Sequence, residues 1–217
     1  MDLNYFIWNG DPALIKLGGF ELRYYSLCFL IGFTYGFKFM KSLLLEAGKS
    51  DADADALLNY MVLSTIIGAR LGHCLFYDPG YYLSNPHEIL MVWKGGLASH
   101  GGTLGILIGL WIYATKRINQ PYLWVLDRIV VPIALGASLI RIGNFFNSEI
   151  LGRVTDVPWA IIFARFDNQP RHPVMLYESL FYLLTFIFVR VAYKKKGDQL
   201  KPGMLFGAFM VCIFGSR

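Results

Sequence analysis

The run LWVLDRIVVPIALGASLI, at residues 123–140, is apolar except for one acid and one base near its start. Its length is close to the roughly 20 apolar residues that a helix needs to cross a bilayer core of about 30 Å. Asp127 and Arg128 lie near the predicted start of this helix, and we interpret them as flanking residues at the membrane surface. The run therefore predicts a membrane-spanning helix.

The composition of the whole chain agrees with this prediction. Of its 217 residues, 55% are hydrophobic and only 16% are charged, and the mean hydropathy is +0.45. A soluble domain carries about 25% charged residues. With no alternating strand pattern to compete, we predict an all-α, polytopic membrane protein that forms a single integral membrane domain over residues 1–217. The net charge of +5 is scattered at the ends of apolar runs, which argues against nucleic-acid binding.

The hydropathy pattern predicts about six transmembrane helices. Basic clusters follow the first, third and fifth of them, so the positive-inside rule places these clusters in the cytoplasm and the N-terminus outside. The third is too short to cross at 1.5 Å per residue, and we expect the preceding ILMVWKGGLASHGG to dip into the membrane as irregular backbone. The predicted spans are residues 24–45, 57–77, 103–115, 122–141, 174–193 and 203 to the end.

Polar residues within or beside these spans form a second pattern. Arg70, Arg141 and Glu178 each fall toward the outer end of a span, where charged groups are costly unless they face a cavity or a partner. Arginine binds two phosphate oxygens at once, so several arginines and histidines at one depth predict an anionic ligand such as a lipid headgroup. The candidates are Arg70, His100, Arg141, Asn144, Asn147, Glu149, Arg153, His172, Glu178 and Arg217.

Structural explanations compete with this interpretation. Arg70 and Glu178 could form an ion pair between two helices, and Asn144 and Asn147 could cap chain ends that leave the membrane. The glycines of GGLASHGG could bind an oxyanion through their N–H groups. The row Gly101, Gly105 and Gly109 is more typical of close helix packing.

Two other classes of site are not favoured. His73, within a span, is more typical of a packed histidine than of a ligand. The four histidines include no close pair, so we predict no metal site and no cofactor.

Five segments resemble the bacterial prolipoprotein diacylglyceryl transferase family. RIGNFFNSEILGR resembles the long signature of that family, which is specific, whereas the glycine loop alone would not be. The five occur in the family's order, which argues against coincidence. They are LRYYSLCFLIGF at 22–33, GARLGHCLFY at 68–77, GGLASHGG at 95–102, RIGNFFNSEILGR at 141–153 and RHPVMLYE at 171–178.

This resemblance implies a reaction at the outer face of the cytoplasmic (inner) membrane. A diacylglyceryl group moves from phosphatidylglycerol to the thiol of the lipobox cysteine in a prolipoprotein signal peptide, and glycerol 1-phosphate is released. The resemblance also implies a further C-terminal part beyond Arg217, so we expect the sequence to be a fragment. The family's functional residues fall on Tyr25, His100, Arg141, Asn144, Glu149, Gly152 and Arg217.

The implied roles follow from the chemistry of alkyl transfer. His100 is the first candidate for the base that takes the thiol proton, and Arg141 with Arg217 would stabilise the leaving phosphate. Asn144 and Glu149 would orient the arginine or hold the departing glycerol. Tyr25 would bind the headgroup.

Two other functions are compatible with intramembrane arginines. One is a transporter or channel for a phosphate-bearing anionic solute. The other is a non-catalytic membrane protein that binds anionic lipid. Against transport, the polar residues gather near one end of the spans, and no pair of matching half-sequences is found in the chain.

Overall fold

The computed structural model describes residues 4–217, with the exception of the side chain of residue 198. Most of these residues are helical. Helices α1 to α7 span Tyr24–Glu46, Asp51–Phe76, Pro79–Ser84, Ser99–Ile112, Tyr122–Asn147, Val174–Lys196 and Met204–Gly215. Strands β1 to β5 span Phe6–Trp8, Ala13–Leu17, Phe20–Arg23, Ile161–Phe163 and Pro170–Arg171.

The predicted spans correspond to helices of the structure. Each of them overlaps one of α1, α2, α4, α5, α6 and α7. Three helices, α1, α5 and α6, are long and apolar enough to cross a membrane, and α7 is a shorter apolar helix. The prediction of a predominantly helical membrane protein is therefore confirmed.

The third predicted span is found as a longer helix that begins four residues early, so residues 99–102 of the segment expected to be irregular are helical, whereas the backbone at 95–98 is irregular as predicted. Helix α4 has 14 residues and continues as a single π-helical segment at Tyr113–Arg117. Before it, α3 is followed by 3₁₀ turns at Pro86–Leu90 and Val92–Lys94. Gly95 and Gly96 then adopt positive φ angles of 85° and 73°, which suit glycine because it has no Cβ.

The contacts divide the chain into two compact units. The first comprises the chain up to Met40 together with Asp127–Arg217, and the second comprises Lys41–Leu126.

In the second unit, α2 and α4 pack through glycines. A Cβ atom on Gly68 or Gly101 would overlap the backbone of the facing helix, and one on Gly105 would overlap the carbonyl group of Ser64. A Cβ on Gly109 would overlap the Ser64 side chain. The packing role predicted for the row Gly101, Gly105 and Gly109 is confirmed.

This contact makes a prediction about two adjacent glycines. Gly101→Ala should lower the free energy of unfolding by about 1–3 kcal/mol, because the helices must move apart. In the matched control Gly102→Ala, the new Cβ would lie 3.5 Å from the Cβ of Ala69, an ordinary contact. The control should be neutral or stabilising by roughly 0.5–1 kcal/mol. Thermal unfolding in detergent measures both, and equal stability of the two variants would contradict the close approach.

In the first unit, α5 packs against α1 and α6. A Cβ on Gly32 of α1 would lie 3.4 Å from the Cα of Gly136, so the two helices approach closely. Ser138 of α5 donates to the carbonyl oxygen of Ser179 on α6 at 2.9 Å, and Ser179 donates back to the carbonyl oxygen of Ser138 at 3.0 Å. These reciprocal hydrogen bonds satisfy polar groups that would be costly in an apolar environment.

The interpretation of Asp127 as a flanking residue is wrong. Its side chain is buried, and the carboxylate accepts hydrogen bonds from the backbone N–H groups of Gly203 at 2.7 Å and Phe206 at 2.8 Å. These groups lie at the start of α7, where N–H groups have no partner inside the helix and where a negative charge is favourable. Asp127 therefore attaches the start of α7 to the start of α5.

Two small sheets accompany the helices of the first unit. In one, β1 pairs in parallel with β4, and β4 pairs antiparallel with β5. In the other, β2 and β3 form an antiparallel hairpin directly before α1. The sequence predicts neither sheet, because strands of two to five residues are too short to show a clear alternation.

The first sheet supports the end of α5. Ile161, Phe163 and Met175 form a buried cluster, and Trp8 and Phe145 pack against it. Leu151, in the loop that follows α5, packs against the same cluster, so side chains from β4 and α6 hold this loop.

Candidate active site

An arginine–glutamate–arginine cluster joins α5, α6 and the residue after the C-cap of α7. Glu178 is 4% exposed. Its Oε2 lies 2.6 Å from Nε of Arg141, and its Oε1 lies 3.0 Å from Nε of Arg217. Oε2 accepts no hydrogen bond from the described residues, so its contact with Arg141 is an ion pair. One buried carboxylate thus holds two guanidinium groups side by side.

A chain of side-chain hydrogen bonds extends from Arg141. Its Nη1 donates to Oδ1 of Asn144 at 3.3 Å, and Nδ2 of Asn144 donates to Oε2 of Glu149 at 3.0 Å. The other oxygen of Glu149 accepts from Nδ2 of Asn147 at 3.2 Å. Asn144 is buried, and its amide links a cation on one side to an anion on the other. It does more than cap the end of α5.

The backbone after α5 fixes the position of Glu149. Ser148 and Ile150, on either side of it, both have a φ of 56°. This conformation is uncommon for any residue other than glycine and is an outlier for a β-branched residue such as isoleucine. The backbone N–H of Glu149 also donates to the carbonyl oxygen of Asn144 at 2.9 Å. The tight turn therefore folds the Glu149 carboxylate back over the asparagines.

Gly152 lies where this turn meets the chain that enters α6. Its N–H donates to the carbonyl oxygen of His172 at 3.1 Å, and a Cβ at this position would overlap that same carbonyl group. Arg171 donates to the carbonyl oxygen of Gly152 at 3.1 Å and also pairs with Asp167. The hydrogen bond from Arg171 holds the pKa of the Asp167 carboxyl below its ordinary value. Arg153 is exposed, and its carbonyl oxygen accepts from the N–H of His172 at 3.1 Å.

Tyr25 lies against α5 in the first unit. A Cβ on Gly143 would come within 2.8 Å of the Tyr25 ring, so glycine at this position of the signature allows the ring to approach. The neighbouring Tyr24 stacks on Phe146 with ring centroids 4.5 Å apart. Gly143 is not among the site residues predicted from the sequence, although its place between Arg141 and Asn144 was a usable signal.

His100 belongs to the second unit and lies in the first turn of α4. Its side chain is exposed. The imidazole stacks on Tyr77 with ring centroids 5.8 Å apart and meets the edge of Phe76 at 5.4 Å. Phe76 is the last residue of α2, and Tyr77 is its C-cap. The position of His100 therefore depends on how the start of α4 packs against the end of α2.

Arg70, also in the second unit, is buried, and its guanidinium donates to backbone carbonyl oxygens of the segment before α4. Glu178 instead forms ion pairs with Arg141 and Arg217, the two arginines of the first unit. The alternative in which Arg70 and Glu178 form an ion pair is therefore wrong. His73, the predicted packed histidine, stacks on Tyr77 and meets the edge of Tyr82, at centroid distances of 5.4 and 5.9 Å, and its packing role is confirmed.

The predicted site residues thus fall into four groups. Contacts join Arg141, Asn144, Asn147, Glu149, Glu178 and Arg217 into one network. Gly152, Arg153 and His172 are linked to one another through the backbone, and Tyr25 lies on Gly143. Arg70 and His100 lie in the second unit.

Comparison with known proteins identifies the family of this chain. The family model for prolipoprotein diacylglyceryl transferase matches residues 12–217. The chain belongs to the prolipoprotein diacylglyceryl transferase family. The resemblance carried by the five sequence segments is confirmed.

Several relatives in this diacylglyceryl transferase family are similar to the chain over most of its length. A protein from Chloroherpeton thalassium is 48% identical over 99% of this chain and 80% of its own length. One from Tolumonas auensis is 41% identical over 97% of this chain and 81% of its own length. One from Nitrosomonas europaea is 42% identical over 93% of this chain and 72% of its own length. All three are named phosphatidylglycerol–prolipoprotein diacylglyceryl transferase.

Proposed function

We propose that this chain is a phosphatidylglycerol–prolipoprotein diacylglyceryl transferase. It moves the diacylglyceryl group of phosphatidylglycerol to the thiol of a lipobox cysteine and releases glycerol 1-phosphate. The observation that carries the proposal is the 48% identity, over 99% of the chain, to a relative with this name. The reaction is the first step of lipoprotein maturation and needs no metal or other cofactor.

The chemistry of the reaction is a displacement at carbon. The sulfur of the cysteine attacks a carbon of the diacylglyceryl group, a C–S bond forms, and the C–O bond to phosphate breaks. The electron pair of that bond leaves with the phosphate, and the thiol proton passes to a base. A free thiol has a pKa near 8.5, so forming the thiolate at pH 7 costs about 2 kcal/mol.

The arginine–glutamate–arginine cluster is suited to the leaving phosphate. Since Glu178 contacts Nε of Arg141 and Nε of Arg217, the Nη groups of both arginines are the ones that can bind phosphate oxygens. The two guanidinium groups share one carboxylate at close range, while Glu149 lies beyond the amide of Asn144. The Nη groups of the two arginines therefore favour an anionic headgroup and stabilise the charge that develops as the bond breaks.

The residues around this cluster complete the proposed headgroup site. The amide of Asn144 restrains Arg141 and is itself restrained by Glu149. Tyr25, Asn147, Arg153 and His172 are proposed to line the headgroup and peptide sites, and Gly152 to keep the turn between them closed.

The proposal also includes an arrangement in the inner membrane. Residues 1–217 would form a single integral membrane domain of about six spans, with the N-terminus outside and the site toward the outer face. Its support is the basic residues Lys116 and Arg117 after α4 and the cluster Lys194, Lys195 and Lys196 at the end of α6, which favour the cytoplasm. Labelling of single-cysteine variants from each side of intact cells tests this topology.

His100→Gln tests the proposed base. Without a base the thiol must ionise unaided, so transfer at pH 7 should fall by about 10²-fold. The loss should shrink as pH rises through about 8.5, where thiolate forms by itself. His87→Gln, which changes another exposed histidine, is the matched control and should behave as the wild type. Undiminished transfer by His100→Gln at neutral pH would exclude His100 as an obligatory base.

A direct assay distinguishes the transferase from the other two functions. Purified protein is mixed with phosphatidylglycerol and a lipobox peptide, and the peptide is examined by mass spectrometry. The transferase adds the diacylglyceryl mass to the cysteine and releases glycerol 1-phosphate. A transporter would instead move a phosphate-bearing solute across vesicles, and a lipid-binding protein would retain phosphatidylglycerol without changing the peptide; either result alone would contradict the proposal.

A further inference from the structure

Arg70 holds the segment that leads into α4 by four hydrogen bonds. Nε donates to the carbonyl oxygen of Ile89 at 3.0 Å, and Nη2 donates to that of Glu88 at 2.6 Å. Nη1 donates to the carbonyl oxygens of Gly95 and Gly96. The side chain is 3% exposed, so its charge is balanced by the carbonyl dipoles that surround it. Arg70 on α2 is therefore bonded to carbonyl groups as far as 26 residues along the chain, and these hydrogen bonds hold the segment before α4 against α2.

The chain conformation around these carbonyl groups is matched to the guanidinium. Gly95 and Gly96 have positive φ angles, which turn their two consecutive carbonyl groups toward the same nitrogen. A Cβ on Gly96 would lie 2.7 Å from Nη1 of Arg70 and 2.6 Å from the His73 ring. The Tyr82 ring covers the guanidinium at 5.0 Å from its centroid. Glycine, guanidinium and rings thus fit closely with little space between them.

This arrangement continues directly to His100. After Gly96, the N–H of Ala98 donates to the carbonyl oxygen of Ala69 at 2.9 Å, and α4 begins at Ser99. Gly101 then packs against the backbone of Gly68 on α2. The first turn of α4 is therefore fixed on both sides of His100, by the Arg70 contacts before it and by the glycine contact after it.

We propose that Arg70 is a positioning residue that acts through the Glu88–Gly96 segment to place His100, and that it does not bind the phosphate. The inference rests on the proposed transferase function with His100 as base. A guanidinium that donates four hydrogen bonds to carbonyl oxygens has most of its five N–H groups engaged, whereas a phosphate ligand needs them for phosphate oxygens. A misplacement of about 1 Å in a reacting group can cost about 10²-fold in rate.

The test combines kinetics with hydrogen exchange in lipid nanodiscs. Arg70→Gln should lower kcat by about 10²-fold, with the KM for phosphatidylglycerol unchanged, and amides of residues 85–98 should exchange faster while those of α5 and α6 stay protected. Gly96→Ala keeps the guanidinium but displaces its acceptors, so it should give the same pattern. Arg70→Lys should recover part of the rate, since an ammonium can still reach some of the carbonyl oxygens. Arg165→Gln, which removes an exposed cation outside this segment, is the control and should match the wild type.

The outcomes separate this inference from the proposed function. If the wild type transfers no diacylglyceryl group, the proposed function fails, while exchange in residues 85–98 still reports on Arg70. If the wild type is active and Arg70→Gln raises the KM for phosphatidylglycerol with kcat unchanged, Arg70 binds the lipid and the inference is overturned. Unchanged exchange in residues 85–98 of Arg70→Gln would also overturn it.

Discussion

Replacing Arg141 with lysine is expected to lower the rate of diacylglyceryl transfer by about 10²–10³-fold, the usual loss when one preorganised donor to a developing anion is removed. In the structure, Nε of Arg141 meets Glu178 and Nη1 meets Asn144. A lysine ammonium is a single point charge and cannot hold both partners while also binding a phosphate. The charge is kept, so the loss measures geometry and not net charge. Initial rates with phosphatidylglycerol and a lipobox peptide give the comparison.

The matched control for this variant is Arg165→Lys. Arg165 is exposed and lies in the loop between β4 and β5, away from the network that joins Arg141 to Glu149. It should retain wild-type transfer. Wild-type activity in Arg141→Lys would remove Arg141 from the phosphate site, and a similar loss in both variants would mean that the assay responds to arginine content in general.

Replacing Glu178 with glutamine is expected to destabilise the protein and to reduce transfer as well. Glu178 is the buried carboxylate between two guanidinium groups. Breaking a buried ion pair by removing one partner costs about 3–5 kcal/mol, because the remaining charge is left without compensation. The arginines would also separate, so the phosphate site would lose its shape. Thermal unfolding in detergent and the transfer assay measure the two effects.

Two controls define the size of the Glu178 effect. Glu46→Gln changes an exposed glutamate at the end of α1 and should unfold at the same temperature as the wild type. A double-mutant cycle between Glu178 and each arginine should give a larger coupling for Arg141 than for Arg217, because the Arg217 side chain is 52% exposed and exposed pairs are worth about 0.2–1 kcal/mol. If Glu178→Gln unfolds at the same temperature as the wild type, the cluster does not stabilise the fold.

The sequence could predict most of the fold because the helices are set by local pattern. Apolar runs of sufficient length specify helices in a membrane, since every backbone group must be satisfied within the segment. The irregular backbone at 95–98 was predictable because the third apolar run is too short to span, but the start of α4 at Ser99 was not, since residues 99–102 were expected to be irregular as well. The two small sheets were not. One joins β1 to β4 across more than 150 residues and leaves no local signal, and the strands of the β2–β3 hairpin are too short to show a clear alternation.

The candidate site was predictable as a set of residues but not as a set of contacts. Arg141, Asn144 and Glu149 lie close together in one motif, and charge in an apolar run marks a function. The partner of Arg141, however, comes from α6, and Asp127, which looked like a flanking residue, caps α7. The left-handed turn at Ser148 and Ile150 has no glycine at either position, so no residue type signalled it.

What the sequence alone determined is the helical membrane architecture, the family and the identity of the polar residues, because these depend on composition, period and motif. What only the tertiary structure decided is which charges meet. Glu178 binds Arg141 and Arg217, whereas Arg70 binds backbone carbonyl groups of its own unit. The physical reason is that a buried charge must be compensated wherever the chain brings a partner within reach, and the packing of distant helices fixes which partners those are.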